Sequence, residues 1–369
     1  MEIDYPTREV REGLVTLLVP DVPSPRGPGS RSALPFYNPT MEIARDVSVL
    51  LAQFVGRRGA SVLDGLAATG ALGLRIASES GIAPRVTLND RNPRSVTLMK
   101  ENARRTGAPD VAIAEGDLNV HLAMHHYDLV EIDPFGSPVP FLDAALQSAH
   151  RGSVLGVTAT DTPVLCGAKP GTCARRYLAH VRPTDAYAEV GVRILIGFVA
   201  RMAGRFDKAV EPLFAYAAEH FLRAYLRISE GAQRADRALG SLGWIRFDPE
   251  TGRCESVDEV LMSGAIGPLW LGPLVGEEVI VRLEPRPYMG ASTARLLDAI
   301  RHEAGLPPFY FENNTTAGRL GIPPPRLEVV LDRLRENGFR AAPTHFRRNA
   351  FKTDAPWDEI RRVYERAGR

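Results

Sequence analysis

The tripeptide Asp133-Pro134-Phe135 follows the apolar run LVEI and brings together three groups that could act on an amine. An exocyclic amine of a nucleobase is a poor nucleophile, because its lone pair is delocalised into the ring. A carboxylate and the carbonyl group of a rigid proline can each accept a hydrogen bond from one N–H group of the amine. A phenylalanine ring offers a face on which a base stacks. Asp133 can also take the proton that leaves when the nitrogen forms a new bond. We therefore predict these three residues as catalytic; a plain type I turn with proline in its second position is the alternative.

Five short β-rich segments each have an acidic residue at or next to their end. The segments are SVLDG, RVTLND, VAIAEGD, DLVEID and SVLGVTATD. Helical segments near 70–80, 94–106 and 139–150 lie between them, and this alternation predicts βαβ units in a doubly wound parallel sheet. Such sheets bind ligands outside the carboxyl ends of their strands. Carboxylates clustered there repel one another in the absence of a ligand, so we expect a ligand site at this edge. The five acidic residues are Asp64, Asp90, Asp117, Asp133 and Asp161.

The turn after the first of these strands, VLDGLAATGALGLR, indicates the cofactor. It lacks the G-x-G-x-x-G spacing of dinucleotide-binding proteins. It instead has Asp64 followed by small residues through Gly70, which resembles motif I of class I S-adenosylmethionine-dependent methyltransferases. The small residues let the backbone approach a ligand closely, and Asp64 could attract its cationic methionine end. Asp90 is positioned for a ribose diol and Asp117 for the adenine amine, although each alone could simply cap the next helix.

Composition sets the outer bounds. A chain of 369 residues is too long for one hydrophobic core, so two domains are expected. The net charge is only +1, and any basic surface for a nucleic acid must be local. The N-terminus has no apolar signal segment and no apolar run is long enough to cross a bilayer, so we expect a soluble, cytoplasmic protein without membrane contact.

The C-terminal region contains a helix-turn-helix pattern in TTAGRLGIPPPRLEVVLDRLRENGF. A short helix is predicted to end at Gly321, the prolines at 323–325 to begin the next helix, and Gly338 to end it. A smaller α+β unit with a winged-helix-like part is therefore expected. Such units bind DNA, and they also serve as RNA or protein docking modules.

Residues in two basic segments are candidate contacts to a nucleic acid. One group lies in the segment after the fifth strand, and the other lies in the basic tail, where residues 340–369 carry eight basic and four acidic side chains. Phosphate contacts of this kind dominate affinity for nucleic acids. The candidates are Arg175, Arg176, Arg182 and Arg193 in the first group and His345 with Phe346 in the second.

Taken together, these segments resemble the archaeal and eukaryotic tRNA (guanine-26-N2)-dimethyltransferase family almost from end to end. The matching segments are YPTREVREG, FYNPTMEIARD, VLDGLAATG, IDPFGSP, LGVTATDTPVLCGAKPGTCARRYL, EVGVRILIG, GPLWLGPL and THFRRNAFKTDAP. The resemblance implies a class I methyltransferase domain with a Rossmann-like sheet and an N-terminal extension over 1–258. It also implies a family-specific, tRNA-binding C-terminal domain over 259–369. The implied activity is transfer of methyl groups from S-adenosylmethionine to N2 of guanosine 26 in tRNA, giving N2-methyl- and N2,N2-dimethylguanosine.

The resemblance also assigns individual residues. It implies that Arg45 contacts the cofactor, that Asp90 binds its ribose, that Asp117 and Leu118 flank its adenine, and that Asp133 is the catalytic acid.

The chain departs from the family pattern in motif I and at a metal site. The family usually has an arginine where this chain has Leu72, and Arg75, one helical turn further on, is a candidate replacement. Some members carry a four-cysteine zinc site where this chain has only Cys254, so no metal is expected.

Three other interpretations stay open at this point. A DNA amino-methyltransferase would share the chemistry of the D-P-F tripeptide. An NAD-dependent oxidoreductase is disfavoured by the missing glycine fingerprint. A non-catalytic RNA-binding protein with a vestigial cofactor pocket is the non-enzyme alternative. A monomer is expected.

Overall fold

The computed structural model of the protein describes residues 3–22, 33–218, 220–257 and 264–367. The strands are β1 Thr7–Glu12, β2 Val15–Pro20, β3 Ser61–Asp64, β4 Arg85–Asp90, β5 Val111–Glu115, β6 Leu129–Ile132, β7 Val154–Ala159, β8 Lys208–Ala218, β9 Phe221–Glu230, β10 Leu242–Phe247, β11 Cys254–Val257, β12 Ile266–Trp270, β13 Phe311–Glu312, β14 Ala341–Pro343 and β15 Ala350–Thr353. The helices are α1 Glu42–Val55, α2 Ala71–Glu79, α3 Pro93–Thr106, α4 Leu118–Met124, α5 Val139–Ser148, α6 Thr162–Leu165, α7 Pro170–Tyr177, α8 Tyr187–Gly204, α9 Ala232–Leu239, α10 Glu277–Arg282, α11 Ala291–Glu303, α12 Asn313–Arg319, α13 Leu327–Glu336 and α14 Trp357–Ala367.

A seven-stranded sheet in the order β5-β4-β3-β6-β7-β9-β8 organises the first part of the chain. The strands from β5 to β7 are parallel, as predicted, and β8 and β9 add an antiparallel pair. The chain runs outwards from β3 through β4 to β5 and then returns to place β6 on the other side of β3. This reversal opens a crevice at the carboxyl ends of β3 and β6, where doubly wound sheets bind ligands.

Apolar side chains cover both faces of this sheet. On one face, residues of α1, α2 and α3 pack together with the β1–β2 hairpin and with α10 and α11. On the other face, residues of α4, α5 and α8 form the second large core. The two layers hold the carboxyl edge of the sheet rigid between them.

The entry into α1 is fixed by a capped turn. Pro39–Met41 form one turn of 3-10 helix, and the side chain of Asn38 accepts the N–H of Thr40 at 3.0 Å. Helix α1 follows directly and turns Val47 and Leu51 into the core. The N-cap therefore determines where the side chains at the start of α1 lie relative to the sheet.

The C-terminal part begins by completing an earlier sheet. Strand β12 pairs with β10, and β13, β15 and β14 form a separate three-stranded sheet. The predicted division between residues 258 and 259 lies outside the described residues, and the two-domain division stays a prediction. Among the described residues, no helix is long and apolar enough to cross a membrane.

The helix-turn-helix pattern corresponds to α12 and α13, with bounds that differ from the prediction. Helix α12 ends at Arg319, and α13 begins at Leu327 rather than at the prolines. A residue that precedes proline is driven out of the helical region, so consecutive prolines favour extended backbone. After α13, Gly338 adopts a φ of +87°, as expected of a glycine that follows a helix. The winged-helix likeness stays a prediction.

Candidate active site

A pocket of about 890 Å³, open mouth included, lies at the carboxyl ends of β3 and β6. It is built by the segment leading into α1 and the start of α1, by the residues that follow β3, β6 and β7, and by the residues at the start of β9. Its lining residues are Phe36, Tyr37, Asn38, Thr40, Met41, Arg45, Asp64, Leu66, Ala67, Ala68, Thr69, Ala71, Leu72, Asp133, Pro134, Phe135, Thr160, His220 and Phe221. The pocket therefore occupies the crevice that the strand order predicts.

Asp64 is the buried carboxylate of this pocket. It ends β3, is only 3% exposed, and accepts the backbone N–H of Gly73 at 3.0 Å. Burial, together with the nearby carboxylates of Glu131 and Asp133, raises the pKa of Asp64 to about 7, although the hydrogen bond from Gly73 opposes the rise. A cationic ligand group beside Asp64 would relieve this cost of ionisation.

The turn after β3 depends on a glycine. A Cβ atom at Gly65 would lie 2.9 Å from Cδ1 of Leu118 and 3.0 Å from the carbonyl oxygen of Glu131. Only a residue without a side chain lets the turn approach β6 this closely. Leu118 itself is buried beside this turn.

Asp90 and Asp117 lie beside the pocket rather than in its lining. The carboxylate of Asp90 accepts the N–H groups of Ala68, a lining residue, at 2.9 Å and of Asn92 at 2.8 Å. Asp117 is exposed and accepts the N–H of Asn119 at 2.8 Å, which makes it the N-cap of α4. Asp117 thus caps α4 as the capping alternative expected, whereas Asn92 rather than Asp90 is the N-cap of α3. The cofactor roles of Asp90 and Asp117 stay predictions.

Arg45 lines the pocket and is held by a buried carboxylate. Its guanidinium contacts Glu12 at 2.5 and 2.6 Å and donates to the carbonyl oxygen of Asn38 at 3.1 Å. Burial opposes ionisation of Glu12, but the charge and hydrogen bonds of Arg45, with help from Tyr37 and Arg75, together outweigh it and lower the pKa of Glu12 to about 2. The hydroxyl of Tyr37 donates to the same carboxylate at 2.7 Å. The position of Arg45 is consequently fixed before any ligand binds.

Arg75 has a different place from the one suggested by its spacing. Its side chain is fully buried, 3.0 Å from Glu12, 2.6 Å from Asp46 and 2.8 Å from Glu79, and it does not line the pocket. Leu72, not Arg75, faces the pocket. The suggestion that Arg75 replaces the motif I arginine is therefore not supported, because three carboxylates already occupy its guanidinium.

The turn after β6 presents the tripeptide Asp133-Pro134-Phe135 to the pocket. The turn is tied to the end of β7, because the N–H of Gly136 donates to Oγ1 of Thr160 at 2.7 Å. Asp133 is half-buried, and within the described part of the chain no hydrogen bond or ion pair engages its carboxylate. A carboxylate in this setting is available to a ligand.

Two aromatic rings meet at this turn. Phe36 lies edge-to-face against Phe135, with 4.6 Å between the ring centroids and an interplanar angle of 74°. Both rings line the pocket, so a flat ligand that enters beside Asp133 meets an aromatic wall.

A buried ion pair joins strand β6, which leads to this turn, to strand β9. Glu131 is fully buried and binds the guanidinium of Arg223, which also donates to Oγ of Ser48 at 2.9 Å. Burial raises the pKa of Glu131, while the charge of Arg223 opposes the rise. The pair fixes the end of β6, two residues before Asp133.

The candidate RNA contacts in the segment after β7 separate into two groups. Arg175, Arg176 and Arg182 are exposed, and Arg176 lies 3.2 Å from Asp161. Arg193 is buried and binds Glu189 at 2.8 Å, so its guanidinium does not reach solvent and the phosphate role predicted for it is not supported.

His345 and Phe346 also point inwards. Nδ1 of His345 binds the buried carboxylate of Glu303, and the ring of Phe346 stacks on Tyr310 at 5.8 Å between centroids. The direct contact to a tRNA backbone predicted for this pair is therefore not supported, because both side chains are packed into the protein. The exposed residues at this corner are their neighbours, Arg347 and Arg348.

Several lining residues were not predicted as site residues. Phe36 and Tyr37 belong to the FYNP segment, whose place before a capped helix could have suggested a role. Thr160 follows β7 in the same way as the predicted aspartates. His220 directly precedes β9 and Phe221 begins it, and no sequence motif marks them.

Comparisons with known proteins find relatives over nearly the whole chain. A family model described as N2,N2-dimethylguanosine tRNA methyltransferase matches residues 19–365. The tRNA (guanine(26)-N(2))-dimethyltransferase of Thermococcus kodakarensis is 40% identical over 377 residues, covering 96% of this chain and 98% of the relative. The enzyme of the same name from Methanoculleus marisnigri is 39% identical over 375 residues, covering 96% and 98%.

A solved structure shares the whole architecture. The complex of Trm1 from Pyrococcus horikoshii with S-adenosyl-L-methionine has a TM-score of 0.86 and 34% identity, and the match covers 96% of this chain and 99% of that chain. These matches include the C-terminal region, which neither a dehydrogenase nor a DNA amino-methyltransferase would be expected to share. The chain belongs to the N2,N2-dimethylguanosine tRNA methyltransferase family.

Proposed function

We propose that the protein transfers methyl groups from S-adenosylmethionine to the exocyclic N2 of guanosine 26 in tRNA, giving N2-methyl- and N2,N2-dimethylguanosine. The observation that carries this proposal is the Asp133-Pro134-Phe135 turn, whose carboxylate has no partner among the described residues. The turn lies in the crevice where the strand order of the sheet reverses, in a chain that belongs to this family. The relatives that match over nearly the full length bear the name of this activity.

The pocket residues suit the charges of the cofactor. S-adenosylmethionine supplies a methyl group on a positively charged sulfur, which a nucleophile can displace. The buried carboxylate of Asp64 would face its cationic groups, and Arg45 would pair with its carboxylate. Asp90 would hold the ribose diol, and Asp117 with Leu118 would hold the adenine.

The opposite side of the pocket suits a guanine base. The rings of Phe36 and Phe135 would hold the base by stacking, and the edge-to-face contact between them would open to admit it. The carboxylate of Asp133 and the carbonyl group of Pro134 would each accept one N–H of the exocyclic amine. This arrangement draws the nitrogen lone pair out of conjugation and directs it at the methyl group.

Asp133 would also receive the proton. The carbon–nitrogen bond forms as the carbon–sulfur bond breaks, and one N–H proton must leave to give a neutral amine. The carboxylate that accepts this N–H is the nearest base, and the proton passes from it to solvent. The second methylation repeats the step with a second cofactor, because N2 still carries one proton.

The tRNA would be held by basic side chains at the same edge of the sheet. Arg175 and Arg176 are exposed on α7, directly after the segment that follows β7. They would pair with backbone phosphates around the target. We further expect the protein to work as a monomer in the cytoplasm, which light scattering and fractionation can check.

The decisive experiment uses methyl-labelled S-adenosylmethionine and two tRNA transcripts that differ only in having G or A at position 26. Nucleosides are identified after digestion. Label in N2,N2-dimethylguanosine from the G26 transcript alone is the expected result. Label in both transcripts would keep the chemistry and reject the position. No label while the cofactor still binds would reject the proposed activity.

A further inference from the structure

A second cleft adjoins the target pocket. It has a volume of about 1140 Å³, open mouth included, and Phe221 lines both cavities. Its walls come from α6 and the residues after it, the start of α8, the end of β8 and the start of β9 on one side, and from the segment between β14 and β15 on the other. The lining residues are Thr162, Pro163, Cys166, Ala168, Tyr187, Ala188, Ala217, Ala218, Phe221, Leu222, His345, Phe346, Arg347 and Arg348.

The chemistry of this cleft has two parts. Small apolar side chains and the ring of Phe346 form its floor. Two exposed guanidinium groups, those of Arg347 and Arg348, form its rim, and within the described residues neither makes an ion pair. None of the described lining residues is acidic. The cleft therefore has an apolar surface beside two positive charges, which suits a flat ring that carries an anionic group.

Tyr187 supplies a stacking surface at the rim. It is the first residue of α8 and is 37% exposed. The guanidinium of Arg347 lies 5.7 Å from the centroid of its ring and donates to its hydroxyl at 3.3 Å. This contact fixes the ring while leaving part of it open to solvent. Base–aromatic stacking on such rings accepts any base, because every base has a π-face.

The position of the cleft suggests what binds there. Phe221 separates it from the pocket in which the target base is proposed to stack, so the two cavities are neighbours on one edge of the sheet. A nucleotide that is extruded from a duplex leaves the stack, so its chain neighbour loses one stacking partner and exposes a base face that an aromatic ring can cover. The combination of ring, apolar floor and arginine pair matches a base with its phosphate.

We propose that this cleft binds the ribonucleotide next to the target guanosine, with its base on Tyr187 and its phosphate at Arg348. The proposal rests on the tRNA activity proposed above. It gives the basic corner at residues 347–348 a defined role. The buried neighbours of this corner, His345 and Phe346, then serve as the floor of the subsite.

The test compares Tyr187→Ala, Tyr187→Phe and Arg348→Ala with the wild-type protein on three tRNA transcripts. One transcript is intact, and the other two lack the base of the nucleotide on the 5′ or the 3′ side of G26. Arg104→Ala is the matched control, since its side chain is exposed on α3 and does not line the cleft. The KM for S-adenosylmethionine is measured for every variant and should not change.

The expected result is a rise of about tenfold in the KM for intact tRNA with Tyr187→Ala. Tyr187→Phe should keep most of the affinity, because the ring remains. One of the two base-less transcripts should already show the same loss with the wild-type protein, and Tyr187→Ala should add nothing further on it, since the two changes remove one contact. Arg348→Ala should raise the KM on all three transcripts, because the phosphate is present in each.

Two results would overturn the proposal in different ways. If the wild-type protein dimethylates G26 and Tyr187→Ala and Arg348→Ala match Arg104→Ala on intact tRNA, the cleft is not a nucleotide subsite and the activity stands. The subsite is also rejected if the losses from Tyr187→Ala and from the missing base simply add. If the wild-type protein does not methylate G26, both proposals fail together.

Discussion

The unengaged carboxylate of Asp133 is the residue on which the proposed chemistry depends. Asp133→Ala should lower kcat by at least about 100-fold, because it removes both an acceptor for the amine and the base. The Kd for S-adenosylmethionine should change little, since Arg45 and Asp64 remain in place. Single-turnover methylation and calorimetry measure the two quantities.

Asp143→Ala is the matched control for this substitution. Its carboxylate lies on α5, is 49% exposed, and pairs with Arg205 outside the pocket. It should leave kcat unchanged. If Asp133→Ala keeps about a tenth of the wild-type rate, the assignment of Asp133 as the base is wrong.

Asp64 makes cofactor affinity depend on pH. Its pKa is raised to about 7, mainly by burial, so the carboxyl group is largely neutral below that pH and ionised above it. A cationic ligand binds the ionised form, and affinity for S-adenosylmethionine should therefore rise with pH through 7 and level off above it. Below the pKa of Asp64, the association constant for S-adenosylmethionine should rise by up to about tenfold per pH unit.

Titration calorimetry across this range tests the sign. Asp64→Asn should bind more weakly at high pH and lose the dependence, because its side chain cannot ionise. Asp143→Asn, outside the pocket, should keep the wild-type profile. A wild-type affinity that falls as the pH rises through 7 would contradict the role of Asp64.

The sequence could predict a residue of the site where a strand end fixes its position. Asp64 ends β3 and Asp133 directly follows β6, its parallel neighbour, and both line the pocket. Arg75 and His345 could not be placed in this way, because their partners, Glu12 and Glu303, lie 63 and 42 residues away in the chain. A side chain whose charge is satisfied by a distant partner looks the same in sequence as one that is free.

At the scale of elements, one buried ionic cluster joins four of them. Glu12 of β1 binds Arg45 of α1 and Arg75 of α2. Asp46 of α1 binds the same Arg75 and accepts the hydroxyl of Thr293 in α11 at 2.6 Å. The cluster connects the N-terminal hairpin and the C-terminal part to the wall of the cofactor pocket.

Glu12→Gln should therefore affect both stability and binding. It leaves two buried guanidinium groups short of a counter-charge, which typically costs about 3–5 kcal/mol of unfolding free energy. It should also weaken binding of S-adenosylmethionine, because Arg45 loses the contact that orients it. Urea unfolding and calorimetry measure the two effects.

Glu9→Gln is the matched control on the same strand. Glu9 is 60% exposed and pairs with Arg105 on the surface, where ion pairs contribute about 0–1 kcal/mol. If the two substitutions lower stability equally, the buried cluster does not stabilise the fold more than a surface ion pair does.

Sequence patterns could predict a strand or helix only where its apolar pattern agreed with the turn residues beside it. The five parallel strands were predictable because each apolar run ends at a turn, and predicted helical segments follow three of them. The β8–β9 pair was not predicted, since both strands are buried on both faces and show no alternation of apolar and polar residues. Helix α4 is one of the shortest, and its seven residues are too few for a helical period to be read.

At the scale of the whole molecule, positive and negative charges nearly cancel, and basic side chains are concentrated in local groups. A net charge of +1 gives no general attraction to tRNA, so binding must come from local groups such as the arginines of α7. The C-terminal part is held against α8 by Lys352, whose Nζ lies 3.1 Å from the carboxylate of Glu189. The basic corner at 347–348 is thereby brought to the same edge of the sheet as α7, which no local sequence pattern could predict.

This distribution predicts how tRNA affinity responds to salt. If Arg175 and Arg176 each pair with a phosphate, Arg175→Ala with Arg176→Ala should weaken binding and reduce the slope of log K against log salt by about 2. Arg104→Ala removes an equally basic, 71% exposed side chain near the end of α3, far along the helix from the carboxyl edge, and should leave the slope unchanged. Filter binding over a series of salt concentrations measures all three proteins. An unchanged slope for the double variant would mean that the tRNA approaches over another face, and it would leave the pocket chemistry intact.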